Sequence, residues 1–209
     1  MVKPISFKNN QGVELLGDLF IPKGEGLFPC VVFAHGLYSN HKSPRNREIA
    51  FALIEKGIVA LLFDFSEREV FADETWVRHA DDLKCALDFL ETRPEIDKQK
   101  IGVNGSSTGA TAALRLAAED PRIKTIVVRS ARVINIWDRV EKIKVPILII
   151  VGGADEVKDE SEELYRVLKS EKRFEEIAGA GHLFEEGETF KELLKLTVEW
   201  YEKRLKMSF

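Results

Sequence analysis

Long apolar runs are missing from this chain, and the first thing that excludes is a bilayer span. A membrane helix needs about 20 consecutive apolar residues, whereas the 44% of hydrophobic residues here fall in short blocks between charged ones. Met1 to Asn10 lacks the apolar core of a secretory signal, so a soluble, cytoplasmic protein without membrane contacts is expected. Cysteine is scarce. Cys30 lies in an apolar strand pattern, Cys85 on a predicted helix, and neither has a C-x-x-C or metal-like spacing. Both read as reduced, buried thiols. A surplus of positive charge is also lacking: the net charge of -4 gives no basic face for nucleic acid. Basic pairs such as Lys203-Arg204 lie among acids, as on a solvated helix face. Linkers and low-complexity stretches do not occur, and 209 residues can bury one substantial core, so residues 1–209 read as one domain. Asn and Gln together number only eight, against abundant Lys and Glu, a balance that points to a heat-adapted source.

What the chain does have is Gly105-Ser106-Ser107-Thr108-Gly109, placed where the apolar strand Lys100 to Asn104 runs into a small-residue helix, Ala110 to Glu119. This is the G-x-S-x-G pattern of a nucleophile elbow. Such an elbow holds its serine at positive φ on a strained turn and aims the following helix N-terminus at it. A Cβ at position 105 or 109 would meet neighbouring backbone, which is why both are glycine. A serine nucleophile also needs a base to take its proton and an acid to orient that base. The run Pro146 to Val151 ends in Gly152-Gly153-Ala154-Asp155, and a stretch near Phe174 to Ala178 ends in Gly179-Ala180-Gly181-His182. Both candidates follow strand ends, where open α/β sheets carry their sites, and they come in the order serine, acid, histidine. Glu156 and Asp159 compete with Asp155 for the acid position.

The rest of the chain alternates. A hairpin is expected from Ile5 to Lys8 and Val13 to Ile21 around the turn signal Asn9 to Gly12. Strand Cys30 to Ala34, helix Pro44 to Lys56 and strand Ile58 to Phe63 follow. Trp76, Ala80, Leu83, Leu87 and Leu90 recur at helical steps as one apolar stripe, closed by Pro94. After the elbow come strand Ile123 to Arg129, a short segment Val133 to Ile143, strand Pro146 to Val151, helix Asp159 to Lys169, a strand near 173–178 and a final helix from about Glu188 to Lys206. Strands alternating with helices make βαβ units: an α/β protein with a mostly parallel sheet covered on both faces and an antiparallel N-terminal hairpin. Ser106 reads as a small buried neighbour of Ser107, His35 as a fixer of its loop, His41 and His79 as solvated, Asp64 as a loop brace and Trp76 as core. Arg129 and Arg132 flank a strand end and suit either a substrate carboxylate or a plain ion pair.

Four ordered motifs together carry a resemblance. They are Asn104 to Ala110, His35-Gly36 after the first buried strand, Val151 to Val157, and Gly179 to Glu186. With them the chain resembles the α/β-hydrolase superfamily over nearly its whole length, and most closely its small dienelactone-hydrolase-related branch. The resemblance implies Ser107 as nucleophile, Asp155 as orienting acid, His182 as general base, and an oxyanion hole from the backbone N–H groups of Leu37 and Thr108. It implies acyl transfer to water without metal or organic cofactor. Dienelactone hydrolases proper use a cysteine where this chain has Ser107, and the loop Phe65 to Glu69 is charged and free of glycine where many relatives have glycine. The connection 130–145 leaves no room for a cap domain, so a small-molecule acyl substrate would be held by loops around Tyr38, Phe65, Arg132 and Trp137. Small esters are the expected substrates. Thioesters, lactones or peptides on the same triad, or a non-catalytic binding role on the same fold, are the alternatives.

Overall fold

The computed structural model describes residues 1–185 and 187–206. An N-terminal hairpin, β1 (Val2–Lys8) and β2 (Glu14–Phe20), is followed by β3 (Phe28–Ala34), α1 (Pro44–Glu55) and β4 (Val59–Phe63). Then come α2 (Asp73–Glu91), β5 (Ile96–Ser106), α3 (Thr108–Ala117), β6 (Ile123–Arg129) and the four-residue α4 (Trp137–Val140). The chain continues through β7 (Ile147–Gly152), α5 (Lys158–Val167), β8 (Lys172–Ile177) and α6 (Gly187–Leu205). Eight strands form one sheet in the order β1-β2-β4-β3-β5-β6-β7-β8. Only the β1–β2 and β2–β4 pairs are antiparallel.

The two faces follow from alternation along each strand. Cys30, Val32 and Ala34 of β3 face one cluster with Leu83 and Leu87 of α2, Ala113 of α3 and Leu164 of α5. Val31 and Phe33 face the other, with Ile49 and Leu53 of α1 and Leu193 and Tyr201 of α6. The stripe read from Trp76 to Leu90 is buried along its length, and Cys30 and Cys85 are buried free thiols. Helix α1 begins on Pro44 at its first position, where the missing N–H would have no helical partner anyway. Helix α6 is pinned across the sheet by two buried hydrogen bonds, Tyr201 Oη to the Val103 carbonyl (2.7 Å) and Trp200 Nε1 to Thr125 Oγ1 (2.8 Å).

Strand β5 begins at Ile96 rather than 100 and carries a register irregularity between its Phe28 and Cys30 pairings. After the buried Ile96, the residues added ahead of Lys100 are the polar Asp97, Lys98 and Gln99, to which hydrophobic pattern alone gives no strand signal. Helix α3 starts at Thr108, two residues earlier than expected, because Ser107 itself is its N-cap. Between β6 and β7 only α4 intervenes, so no cap domain is inserted there. No helix among the described residues is long and apolar enough to cross a membrane.

Candidate active site

The chain leaves β3 towards β4 on one side and returns to β5 on the other. The crevice where strand order reverses, outside the carboxyl ends of β3 and β5, is the preferred ligand site of open α/β sheets. Ser107 stands there at φ 51° and ψ -123°. A Cβ built on Gly109 would lie 2.1 Å from the Ala34 carbonyl oxygen and 2.4 Å from that of His35, so the elbow closes on β3 only with glycine at this position. Backbone bonds fix the turn on its other side: Ser107 N donates to Arg129 O (3.0 Å) and Ala110 N to Ser107 O (3.0 Å).

The structure brings the three candidate residues into one hydrogen-bonded chain. Ser107 Oγ lies 3.0 Å from His182 Nε2, and His182 Nδ1 lies 2.9 Å from Asp155 Oδ1. A carboxylate can only accept, so Nδ1 carries the proton and the Nε2 lone pair faces the serine hydroxyl. Asp155 is 6% exposed. Its Oδ2 lies 2.5 Å from the Ser130 hydroxyl, which also lies 3.0 Å from the His182 carbonyl, and Oδ1 accepts from Val157 N (3.1 Å). Burial alone would raise its pKa, but the bonds from His182, Ser130 and the Val157 amide prevail and hold the carboxyl below its ordinary range. The loops carrying Asp155 and His182 are packed backbone to backbone: a Cβ at Gly152 would come within 2.3 Å of the Ala180 carbonyl. Glu156 is exposed and pairs with Arg132, and Asp159 is exposed in the first turn of α5, so neither acid reaches His182. Glu186, the last residue of the His182 motif, lies outside the described residues.

The loop after β3 faces the elbow across Gly36, whose ideal Cβ position is 3.1 Å from Ser107 Cβ. Thr108 N heads helix α3. The Leu37 amide, the other expected oxyanion donor, donates to Thr108 Oγ1 at 2.8 Å, so it is engaged and not free. Beneath this loop His35 is 2% exposed. Its Nδ1 lies 2.8 Å from Gly36 O and its Nε2 accepts from Phe65 N at 3.2 Å, a pattern that only the neutral ring satisfies. Burial pushes its pKa down to about 4. His79 and His41 correct the sequence reading. His79 is fully buried, stacked on the Phe65 ring at 4.0 Å with Nε2 2.5 Å from Glu67 O, and burial lowers its pKa too. His41 is half-buried and its Nδ1 lies 2.8 Å from Asp64. Each ring turns inward from a polar stretch of sequence, which local composition does not report.

A cavity of about 150 Å³ opens on Ser107 and His182 and is lined further by Leu37, Ser39, Ser43, Arg45, Arg129 and Leu183. None of Tyr38, Phe65, Arg132 and Trp137 is among its walls. Phe65 is only 2% exposed, packed between His79, His35 and Phe63, and is a core residue, not a substrate contact. Tyr38 is 75% exposed at φ 59°. Arg132 is occupied by Glu156 and Glu160, and Trp137 stands exposed at the start of α4. Sequence reasoning passed over Ser39, Ser43, Arg45 and Ser130. Among the described residues no cluster of three His, Cys, Asp or Glu is arranged to hold a metal ion.

The family model for the dienelactone hydrolase family matches residues 16–192. The chain belongs to the dienelactone hydrolase family. Over 99% of both chains its backbone superposes on a dienelactone hydrolase from Anabaena variabilis with a TM-score of 0.87 at 33% identity. The esterase domain of a Rhodothermus marinus protein shares the fold with a TM-score of 0.81 at 20% identity, over 98% of this chain and 99% of that one. A putative phosphoribosyl transferase of Mycobacterium tuberculosis is 36% identical over 197 residues, 90% of this chain but 44% of that protein. The chain thus spans less than half the length of this curated relative. Within the dienelactone hydrolase family, and on an α/β-hydrolase fold without a cap, the crevice at Ser107 is the place to seek chemistry.

Proposed function

We propose that residues 1–209 form one serine hydrolase unit acting on small carboxylic esters. The observation that carries this reading is the hydrogen-bonded chain Ser107–His182–Asp155 at the strand-order reversal. Ser107 Oγ attacks the acyl carbonyl while His182 Nε2 takes its proton. The Asp155 carboxylate holds the ring in the reactive tautomer and stabilises the imidazolium. The tetrahedral oxyanion is met by the Thr108 amide and by the Leu37 amide once the latter leaves Thr108 Oγ1; each such donor is worth on the order of 10²-fold or more in turnover. His182 then returns the proton to the departing alcohol. Water, deprotonated by the same ring, releases the acyl group and restores Ser107.

The family match and the esterase relatives support ester cleavage, and the small, uncapped cavity favours short acyl groups over long chains. A second reading, a binding protein on this fold, draws on one observation: the engaged Leu37 amide. The two readings part on a panel of 4-nitrophenyl esters, thioesters and lactones. Turnover in the wild type that falls by about 10⁴-fold or more in Ser107→Ala supports the hydrolase. A folded wild-type protein inert on every member of the panel supports the binder.

A further inference from the structure

We propose that the cavity beside Ser107 binds a doubly charged oxyanion on the substrate, a phosphate or phosphonate group, between the guanidinium groups of Arg129 and Arg45. The identity of the bond that is cut rests on the hydrolase reading; the anion site does not.

Arg129 ends β6 and is 8% exposed. Its register puts it on the same sheet face as Val127, towards α1, where its Nη2 donates to Asn46 Oδ1 at 2.7 Å. Asn46 brings no charge. Nη1 has no partner among the described residues, so a buried cation has no counter-ion among them, an arrangement proteins rarely keep unless something supplies one. Arg45, from the first turn of α1, lines the same cavity. Burial, and secondarily the charge of Arg45, holds the Arg129 pKa down to about 10. Arg45's one ion-pair partner among the described residues is Glu185, at 3.9 Å, and that carboxylate is largely exposed. The hydroxyls of Ser39 and Ser43 line the same space and bond to no other group of the described residues.

Two arginines lining one small cavity favour a dianion over a monoanion. A carboxylate would satisfy one fork and leave the other charge unmatched, whereas a phosphate offers three oxygens and two charges to two planar forks and two hydroxyl donors. With His182 and Leu183 forming another wall, the anion lies towards α1 and the scissile carbonyl towards Ser107. The short span between them calls for a small phosphorylated ester.

The test compares three 4-nitrophenyl esters of similar length: the neutral butyrate, the singly charged hemisuccinate and the doubly charged 3-phosphonopropionate. The expected result is a kcat/KM for the phosphonate ester at least about tenfold above the butyrate, as charge-assisted hydrogen bonds imply, with the hemisuccinate between them. Arg129→Gln and Arg45→Gln should each bring the phosphonate-to-butyrate ratio towards one, and Arg129→Lys should keep part of it, because charge and not packing is read. Arg45 is a partly exposed side chain, so its variant tests the site even if Arg129→Gln fails to fold. In parallel, inorganic phosphate should raise the melting temperature of Ser107→Ala but not that of Ser107→Ala/Arg129→Gln. A wild-type ratio at or below one, a preference for the hemisuccinate, or a ratio that survives both arginine substitutions overturns the proposal. If no ester is cleaved yet phosphate still stabilises Ser107→Ala through Arg129, the hydrolase reading falls and the anion site stands.

Discussion

Acid should loosen this protein through His35, and the size of the effect follows from its surroundings. The ring is buried, one nitrogen faces the Gly36 carbonyl and the other accepts from the Phe65 amide. Protonating Nε2 would set an N–H against an N–H in a buried site. Burial holds the folded-state pKa at about 4, against 6.5 for the free side chain. Above pH 6.5 the ring is neutral in both states and the native fold has its full stability. As pH falls from 6.5 towards 4 the unfolded chain takes up a proton that the folded one refuses, so stability drops. The total is on the order of 3 kcal/mol, most of it lost by pH 4.5. His79, lowered in the same direction by burial, adds to the loss. Asp155, whose pKa is lowered against its own burial by bonds from His182, Ser130 and Val157, titrates lower and contributes only as pH falls below about 3.8. Urea unfolding at pH 7.5, 5.5 and 4.5 measures this directly. His35→Gln, whose amide oxygen can accept from Phe65 N but cannot be protonated, should be less stable at pH 7.5 yet lose less on acidification. Parallel losses in wild type and variant over that range would refute the assignment of the acid sensitivity to His35.

Three further outcomes are expected. Asp155→Asn should lower kcat on the order of 10⁴-fold, since it removes the charge behind the imidazolium and invites the wrong tautomer, whereas Glu156→Gln and Asp159→Asn stay within about tenfold because both acids are exposed and screened; steady-state kinetics on one ester decides. Ser130→Ala removes one of the bonds to Asp155 and should cost roughly ten- to a hundredfold in kcat, in line with a hydrogen bond to a charged group, with little change in KM. Gly109→Ala forces a Cβ onto the Ala34 and His35 carbonyls, a clash with backbone that cannot rotate away, and should destabilise by about 1–3 kcal/mol or more, read as a melting temperature lower by several degrees.

The parts of the site that steric rules dictate were legible in the sequence. Gly105 and Gly109 around Ser107, and the glycine-rich turns before Asp155 and His182, announce strand-end loops, and the alternation of strands and helices gives their order in a parallel sheet. What was hidden depends on which way a side chain turns once the sheet is assembled. Phe65 and His79 lie in a charged, glycine-free stretch that looks solvated, yet they stack on each other as a buried wedge under the loop after β3. Arg129 and Arg132 are three residues apart at one strand end. Only the β6 register sends Arg129 inward to Asn46, leaving Arg132 to Glu156 and Glu160. Alternation from buried Val127 was the signal that could have separated them. Ser130 sits at φ 45° between the two arginines, and no pattern in the chain marks it as a partner of Asp155, 25 residues away.

The central claim is that Ser107 is the activated nucleophile, and intact-mass measurement after exposure to a fluorophosphonate tests it with least intervening assumption. The wild-type protein should gain a single adduct, mapped by peptide sequencing to Ser107. Ser107→Ala should gain none, Ser106→Ala should label as wild type does, and His182→Ala should label far more slowly because the hydroxyl proton then has no acceptor. A folded wild-type chain that takes up no adduct, or takes it up at Ser106 or elsewhere, would contradict the account.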